Sequence, residues 1–256
     1  MFRKFRIMVL LYILLLVAGG TWLSEIRTTD WDESLWVVVH PIAGDSSKAT
    51  RTYIDKLDQE SFGDIERFFA REAARYGLDQ REPITVRLGK ELAEQPPAPP
   101  VSGNPIGIMF WSLGLRWWSW QVESEHDEVP SDVRMYVVYH DPQITPRVAD
   151  SLGLQKGLIG ITHAFATQSQ HRQNNFVMTH ELLHTVGASD KYDPATNLPI
   201  YPIGFAEPDR DPAYPQRYAE IMGGRIPKSP LRADIPKGLS HAAIGVSTAL
   251  EIGWRE

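Results

Sequence analysis

The sequence HELLHTVGASD, at residues 180–190, decides how the rest of the chain is interpreted. It begins with the pattern H-E-x-x-H, in which His180 and His184 are four positions apart. Residues with this spacing lie on one face of an α-helix, about one turn apart, so both imidazoles can reach the same metal ion. Glu181 is placed to deprotonate a water molecule that the metal activates. The spacing therefore predicts a catalytic metal helix.

The residues after this helix supply a candidate third ligand. Gly187 fits a helix end, because glycine readily takes the left-handed backbone conformation that turns a chain back. Such a turn would bring the carboxylate of Asp190 toward the two histidines, and Asp193 is the alternative ligand. Three protein ligands and one open coordination position are typical of catalytic zinc sites, whereas structural sites have four ligands. We therefore expect one Zn2+ per chain.

This region resembles the metzincin zinc peptidases. HELLHTVGASD has the form HExxHxxGxxD, in which an aspartate takes the place of the more common third histidine. The overlapping DKYD at 190–193 resembles a segment of snapalysin-like and immune-inhibitor-A-like secreted proteases. Downstream, IMGG at 221–224 resembles the Met-turn that lies beneath the zinc in those enzymes, with Met222 as its methionine. The resemblance implies a peptide or protein substrate.

The same resemblance implies an α+β fold of the zincin or metzincin type. We expect a twisted mixed sheet, an active-site helix, a substrate cleft and a small C-terminal subdomain. Short apolar runs rich in β-branched residues predict strands at 35–42, 83–88, 133–139 and 157–165. In metzincins the strand just before the metal helix is the antiparallel edge that pairs with substrate. That role is implied for 157–165, and a plain sheet strand is the alternative.

Three further features of the helices are predicted. Residues 49–76 form a helix that is interrupted near 61–63, and Gly77 ends it. Asn174 or Asn175 caps the metal helix, since asparagine is a preferred N-cap residue. Residues 239–254 have the composition of a closing helix.

The N-terminus predicts a targeting or anchoring segment at 1–27. Arg3, Lys4 and Arg6 precede an apolar run in which 11 residues are uninterrupted and 17 residues reach Leu23. The first length favours a cleaved signal peptide, whereas the second reaches the short end for a membrane span. We favour an uncleaved signal anchor, formed by a transmembrane helix that tethers the chain to the membrane.

The rest of the chain, 28–256, is predicted to be a zinc metallopeptidase-like domain. Its N-terminal subdomain would extend to about 187, and its C-terminal subdomain would cover 188–256. Basic flanking residues stay in the cytoplasm, so the domain would lie outside it, in a bacterial envelope or periplasm. If the N-terminus is cleaved, the domain would be secreted. The chain contains no cysteine, so disulfide bonds are excluded.

Composition narrows the partners and marks one unusual segment. A net charge of −6 without a basic stripe indicates that nucleic acid is not a partner. Residues 94–105 contain five prolines and predict an exposed loop. The following segment, 106–121, contains four tryptophans and is apolar on both sides of a helix. Such a helix is either deeply buried or in contact with lipid.

The predicted reaction is hydrolysis of a peptide bond. Zinc would acidify a water molecule and polarise the scissile carbonyl, while Glu181 moves the proton from the water to the leaving amine. Tyr192 and Tyr218 are candidates for stabilising the tetrahedral transition state. Two alternatives share the metal site: a non-catalytic zinc module that docks on a membrane or a partner, and a zinc amidase that acts on a non-protein amide.

Overall fold

The computed structural model describes residues 6–8, 11–12, 30–100, 104–126, 131–155 and 157–255, except for the side chains of residues 125 and 126. The signal anchor or signal peptide predicted at 1–27 lies outside these residues, apart from two short helical pieces at 6–8 and 11–12. Within the described ranges, no helix combines the length and the apolar character needed to cross a membrane.

Within the part of the chain described, the central element is a five-stranded mixed sheet. Its strands, in chain order, are β1 (Leu35–Ala43), β2 (Ile84–Leu88), β3 (Val133–His140), β4 (Leu152–Leu154) and β5 (Ile159–Phe165). Their order in space is β2-β1-β3-β5-β4. The first four strands in that order are parallel, and β4 runs antiparallel to β5 at the edge. The domain therefore has the expected α+β class and a mixed sheet.

The strand that precedes the metal helix is not the edge of this sheet. β5 lies between β3 and β4, and it pairs with β3 in parallel. Its side chains are buried on both faces, Ile161 in one apolar cluster and Ala164 in the other, which suits an internal strand. The edge role predicted for 157–165 is therefore wrong, and the antiparallel edge is the three-residue strand β4.

Helices cover both faces of the sheet. The four longer helices are α1 (Lys48–Ile54), α2 (Gly63–Tyr76), α3 (Pro105–His126) and α4 (His171–Thr185). α1, α2 and α4 pack on the face that carries Val133 and Val137 of β3. α3 packs through Leu115 against the opposite face, which carries Tyr136 and Val138. The result is a three-layer arrangement in which α3 and α4, the helix that carries His180 and His184, lie on opposite sides of the sheet.

Local signals explain where the first two helices begin and end. The Ser47 hydroxyl accepts a hydrogen bond from the backbone N–H of Thr50 at 3.0 Å and caps α1. A 3-10 turn, Gln59–Phe62, separates α1 from α2 at the predicted interruption. Gly77 has φ 77° and ends α2 in the left-handed conformation, as predicted.

The metal helix begins earlier than the sequence suggests. Its N-cap is Gln170, which makes no side-chain capping bond, so the prediction that Asn174 or Asn175 caps the helix is wrong. Both asparagines lie inside α4 and hold it to its neighbours. The Asn174 amide donates to the carbonyl oxygen of Phe165 at 2.9 Å, and the Asn175 amide donates to that of Ser61 at 2.8 Å.

The chain after α4 is rich in turns and has only short regular elements. These are β6 (Tyr192–Asp193), β7 (Leu198–Pro199), β8 (Ala219–Glu220), β9 (Ile226–Ser229), β10 (Arg232–Asp234), β11 (Ala242–Ala243) and α5 (Val246–Glu251). The closing helix predicted at 239–254 is therefore wrong over most of its length. Two buried carboxylates explain this, because Glu72 accepts from the N–H of Ile244 at 3.0 Å and Glu220 accepts from that of Gly245 at 2.9 Å. These bonds hold the backbone extended where a helix would need its own hydrogen bonds.

Candidate metal centre

His180 and His184 occupy the last turns of α4 and face the same point in space. Their ring centroids are 4.8 Å apart, with the ring planes nearly perpendicular. The two Nε2 atoms are 3.1 Å apart. The helix therefore brings the two imidazoles together as the i, i+4 spacing predicts.

Asp190 joins the two histidines because the chain turns back after the helix. Gly187 has φ 106°, and the Ala188 N–H then donates to the Leu183 carbonyl at 3.0 Å. The Oδ1 atom of Asp190 lies 3.1 Å from Nε2 of His180 and 3.2 Å from Nε2 of His184. Among the described residues, His180, His184 and Asp190 are the one group of three whose ligand atoms could share a metal ion.

Asp193, the alternative ligand, has a different role in the structure. Its carboxylate accepts a hydrogen bond from the backbone N–H of Ala195 at 2.8 Å. That bond stabilises the turn between β6 and β7, since an aspartate side chain commonly bonds the backbone two residues further on. The geometry therefore favours Asp190 over Asp193 as the third ligand.

Backbone carbonyls determine which nitrogen of each histidine carries a proton. Nδ1 of His180 lies 2.9 Å from the carbonyl oxygen of Ile221, and Nδ1 of His184 lies 2.8 Å from that of Ala188. A carbonyl oxygen can only accept, so each Nδ1 carries the hydrogen and donates it. Nε2 of each ring is then left to face Asp190. In the neutral ring it carries a lone pair for a metal ion, and in the protonated ring it donates a hydrogen bond to Asp190. This arrangement orients both imidazoles for a metal.

Three electron-rich atoms this close together require a positive charge between them. In the metal-free protein a proton can supply it. Although burial lowers the pKa of His180, the hydrogen bond to Asp190 and neighbouring negative charges raise it overall. Burial would raise the pKa of Asp190, but hydrogen bonds from His180 and His184 lower it overall.

The donor set and its spacing fit zinc. Two imidazole nitrogens and one carboxylate oxygen are typical ligands of catalytic zinc. Tetrahedral ligands about 2.0–2.1 Å from a zinc ion lie about 3.3 Å from one another. The separations between the three ligand atoms, 3.1–3.2 Å, are close to that value.

Glu181 is buried beside the cluster. Its exposed fraction is 6%, and burial raises the pKa of its carboxyl despite the opposing influence of His180 and His184. The backbone N–H of Gly153, in the edge strand β4, lies close enough to this carboxyl group to lower its pKa, but it does not outweigh burial. A carboxylate with a raised pKa in a buried site accepts protons more readily, as a general base requires.

The edge strand packs directly against the metal helix at Gly153. A Cβ atom at that position would collide with the backbone oxygen of Glu181 and with Cβ of His184. Only glycine allows so close an approach of β4 to the two residues. This contact is not predictable from the sequence, because a strand of three residues is too short for its alternation to be recognised.

One of the two predicted tyrosines lies beside the cluster. The Tyr192 ring centroid is 6.3 Å from that of His180, and burial, with the charges of Asp190 and Glu181, raises the pKa of its hydroxyl to about 12. His180 and Tyr192 both line a cavity of about 180 Å³. Tyr218 is exposed and packs against the guanidinium of its neighbour Arg217. The structure therefore associates Tyr192 with the candidate site and gives no such position to Tyr218.

Met222 lies in a 3-10 turn, Ile221–Gly223, and is fully buried in the main apolar core. Its carbonyl oxygen accepts a hydrogen bond from the N–H of Lys191 at 2.9 Å. Ile221, in the same turn, is the residue that orients His180. The turn is thus bonded both to a candidate ligand and to the chain beside Asp190.

Lys191 is a structural residue that sequence reasoning missed. Its side chain is 1% exposed, and Nζ donates to the carbonyl oxygen of Ser189 at 2.9 Å and to Glu251 at 2.6 Å. A lysine next to an aspartate in a loop is ordinarily expected in solvent. Here it ties the loop that carries Asp190 to the C-terminal helix α5.

Comparison with protein-family models finds no match for this chain. A search of curated proteins likewise finds no sequence similar enough to count as a relative.

Proposed function

We propose that the chain is a zinc-dependent hydrolase, and specifically a membrane-tethered or secreted metalloendopeptidase. The observation that carries the proposal is the convergence of three ligand atoms, on His180, His184 and Asp190, at mutual distances of 3.1–3.2 Å. The hydrogen bonds that orient both rings and the buried carboxyl group of Glu181 support the same conclusion. One Zn2+ per chain would complete the site.

The architecture supports the resemblance to metzincins. The mixed sheet has one antiparallel edge strand, and that strand packs on the metal helix through Gly153. A tight turn containing Met222 hydrogen-bonds to His180 through the neighbouring carbonyl of Ile221. The metzincin plan likewise includes an antiparallel edge strand for the substrate and a Met-turn, and we propose that β4 and the turn of Met222 serve in these roles.

The chemistry needs a proton carrier, and Glu181 is suited to that role. A bound zinc ion would polarise the scissile carbonyl and acidify a water molecule. Glu181 accepts a proton from the water molecule as the water oxygen attacks the carbonyl carbon. It then donates that proton to the amide nitrogen as the carbon–nitrogen bond breaks, so the base is regenerated. Tyr192 is the candidate hydrogen-bond donor to the developing oxyanion.

An extended peptide could pair with the edge strand β4. Leu152–Leu154 pairs on one side with β5, and the other side is the edge of the sheet. Backbone pairing at an open edge is a common way to bind a peptide in extended form. The cavity beside His180 and Tyr192 would then accept a side chain of the substrate.

Zinc content and peptide cleavage, measured together, test this proposal. The full chain in detergent should bind about one zinc per chain and cleave members of a peptide library. His184→Ala should lose both properties, since two protein ligands hold zinc poorly. Zinc binding by the wild type without cleavage of any peptide would contradict the peptidase assignment, and zinc binding by neither protein would contradict the metal site.

A further inference from the structure

Helix α3, Pro105–His126, has an apolar face that the described residues of the chain leave exposed. The buried and half-buried side chains through which it packs on the sheet include Trp111, Leu115, Trp118, Ser119 and Val122. Its exposed large apolar side chains are Ile106, Ile108, Met109, Phe110, Leu113, Trp117 and Trp120. The sequence predicted a helix that is apolar on both sides. Packing on the sheet explains the apolar residues on one side and leaves those on the other side unexplained.

The two apolar stripes lie on opposite sides of the helix. At about 100° per residue, six of the seven exposed side chains fall within an arc of about 100°, and the core-facing residues are centred on the other side. Phe110 and Trp117 are 64% and 61% exposed. Trp117 also contacts Trp120, with ring centroids 5.0 Å apart. Soluble domains rarely expose so many large apolar groups together without a binding partner.

The polarity of this region fits a lipid surface. Between Glu94 and Glu123 the chain contains no acidic residue, although 32 of its 256 residues are acidic. Anionic headgroups would therefore meet no like charge along the exposed stripe. Acidic residues return only at the C-terminal end of α3, where Glu123 is paired with Arg134. The apolar end and the charged end of the helix are thus well separated.

We propose that the exposed stripe of α3 docks in the interfacial region of a lipid bilayer. Tryptophan is enriched at that depth, where the apolar ring and the indole N–H are both accommodated. Interfacial amphipathic helices lie in the membrane plane and bury their apolar face about 5–10 Å deep. α3 would lie in the same way, with the sheet rather than water on its other side. The apolar run at 7–23, predicted from sequence as an anchor, would hold the same domain at a bilayer. The sheet would then separate the membrane from the metal helix α4.

The absence of cysteine from the chain allows a direct test. Single cysteines at Phe110, Leu113 and Trp117 would be labelled with an environment-sensitive fluorophore, and the full chain reconstituted in phosphatidylcholine–phosphatidylglycerol vesicles. Leu231→Cys is the matched control, because Leu231 is 89% exposed on the turn between β9 and β10. Circular dichroism of each labelled variant checks that the fold is retained.

If the exposed stripe of α3 docks in the bilayer, emission from the three α3 labels should shift to the blue in vesicles. Lipids with a nitroxide near the headgroup should quench these labels more than lipids with a nitroxide at the end of the acyl chain. The label at Leu231 should remain water-exposed and unquenched.

Water-like emission from the α3 labels would overturn the proposal. A blue shift without quenching by lipid nitroxides would also overturn it, because protein would then cover the stripe, either residues 1–29 or a second copy of the chain. Neither readout involves zinc or peptide cleavage, so this result is separate from the test of the proposed activity.

Discussion

The Nδ1 atom of His180 lies 2.9 Å from the backbone carbonyl oxygen of Ile221. This hydrogen bond joins helix α4 to the turn that contains Met222, and it directs Nε2 of His180 toward Asp190. The turn ends at Gly224, which has φ 70°. The orientation of a candidate ligand therefore depends on a backbone conformation that favours glycine.

Gly224→Ala should weaken zinc binding through that turn. A side chain in the left-handed region costs about 1–2 kcal/mol. The added Cβ itself would make only an ordinary contact with the Tyr192 ring, at 3.9 Å. We expect a loss of stability of that size and lower zinc affinity, measured by denaturant unfolding and by competition with a chelator. Gly77→Ala is the matched control, since Gly77 has φ 77° and nothing within 4 Å of its Cβ position. It should lose similar stability and keep its zinc affinity. Equal zinc affinity in both variants would argue against control by the turn.

Asp190→Ala should lower zinc affinity much more than Asp193→Ala. Of the two aspartates, only Asp190 places a carboxylate oxygen within 3.2 Å of both candidate imidazoles. We expect its loss to reduce affinity by more than the roughly 10–100-fold typical of removing a group that merely orients a ligand. Asp193→Ala should remain near wild type in the same titration. The reverse ranking would transfer the third ligand to Asp193.

Gly153→Ala should be more disruptive than Gly160→Ala, although these two glycines face each other across β4 and β5. A Cβ at Gly153 would meet the backbone of Glu181, which cannot move without shifting the metal helix. A Cβ at Gly160 would meet the flexible end of Met135. Overpacking costs about 1–3 kcal/mol of stability. We expect a loss at the upper end of that range or more for Gly153→Ala, and a loss at the lower end for Gly160→Ala. Thermal unfolding and zinc titration measure the difference, and similar losses in both variants would refute the close contact.

Glu251 should contribute stability that disappears in acid. Burial would raise the pKa of its carboxyl group, but hydrogen bonds from Lys191 and Ser189 lower it overall. A carboxyl whose pKa is lower in the folded state stabilises the fold above its unfolded pKa, and this is lost as pH falls through the folded pKa. Glu251→Gln should therefore reduce the free energy of unfolding at pH 7 by roughly 1–3 kcal/mol. The difference from wild type should shrink as pH falls below about 4.

Urea unfolding of chelator-treated protein across this pH range measures the effect. Glu91→Gln is the control, because it removes the partner of Arg51 from a more exposed ion pair, which is expected to contribute little. A difference between Glu251→Gln and wild type that stays constant from pH 7 to acid would contradict the assignment.

The sequence predicted the candidate site better than its surroundings. The i, i+4 spacing of His180 and His184 is a local property of a helix, and Gly187 marks the turn that brings Asp190 back. These relationships depend on 11 consecutive residues, 180–190. Local rules were therefore enough to predict that the three candidate ligands lie together. They could not identify Ile221, 41 positions away, as the residue that orients His180.

The features that sequence reasoning missed depend on contacts that are distant in the chain. β4 has only three residues, so its place at the sheet edge is set by pairing with β5. Only residues 246–251 of the predicted closing helix form a helix, because Glu72 and Glu220 accept hydrogen bonds from the backbone N–H groups at 244 and 245. Likewise, the apolar pattern of α3 could not show which side faces the sheet, because both sides carry large apolar residues.

The comparison of wild type with Glu181→Gln tests the central claim most directly. Zinc content and kcat/KM for a cleaved peptide would be measured on the same preparations at neutral pH. The isosteric amide cannot accept the proton, so we expect about one zinc per chain in both proteins and a loss of kcat/KM of about 10²–10⁴-fold in the variant. Equal kcat/KM in the two zinc-loaded proteins would contradict the role of Glu181 as the general base beside His180, His184 and Asp190.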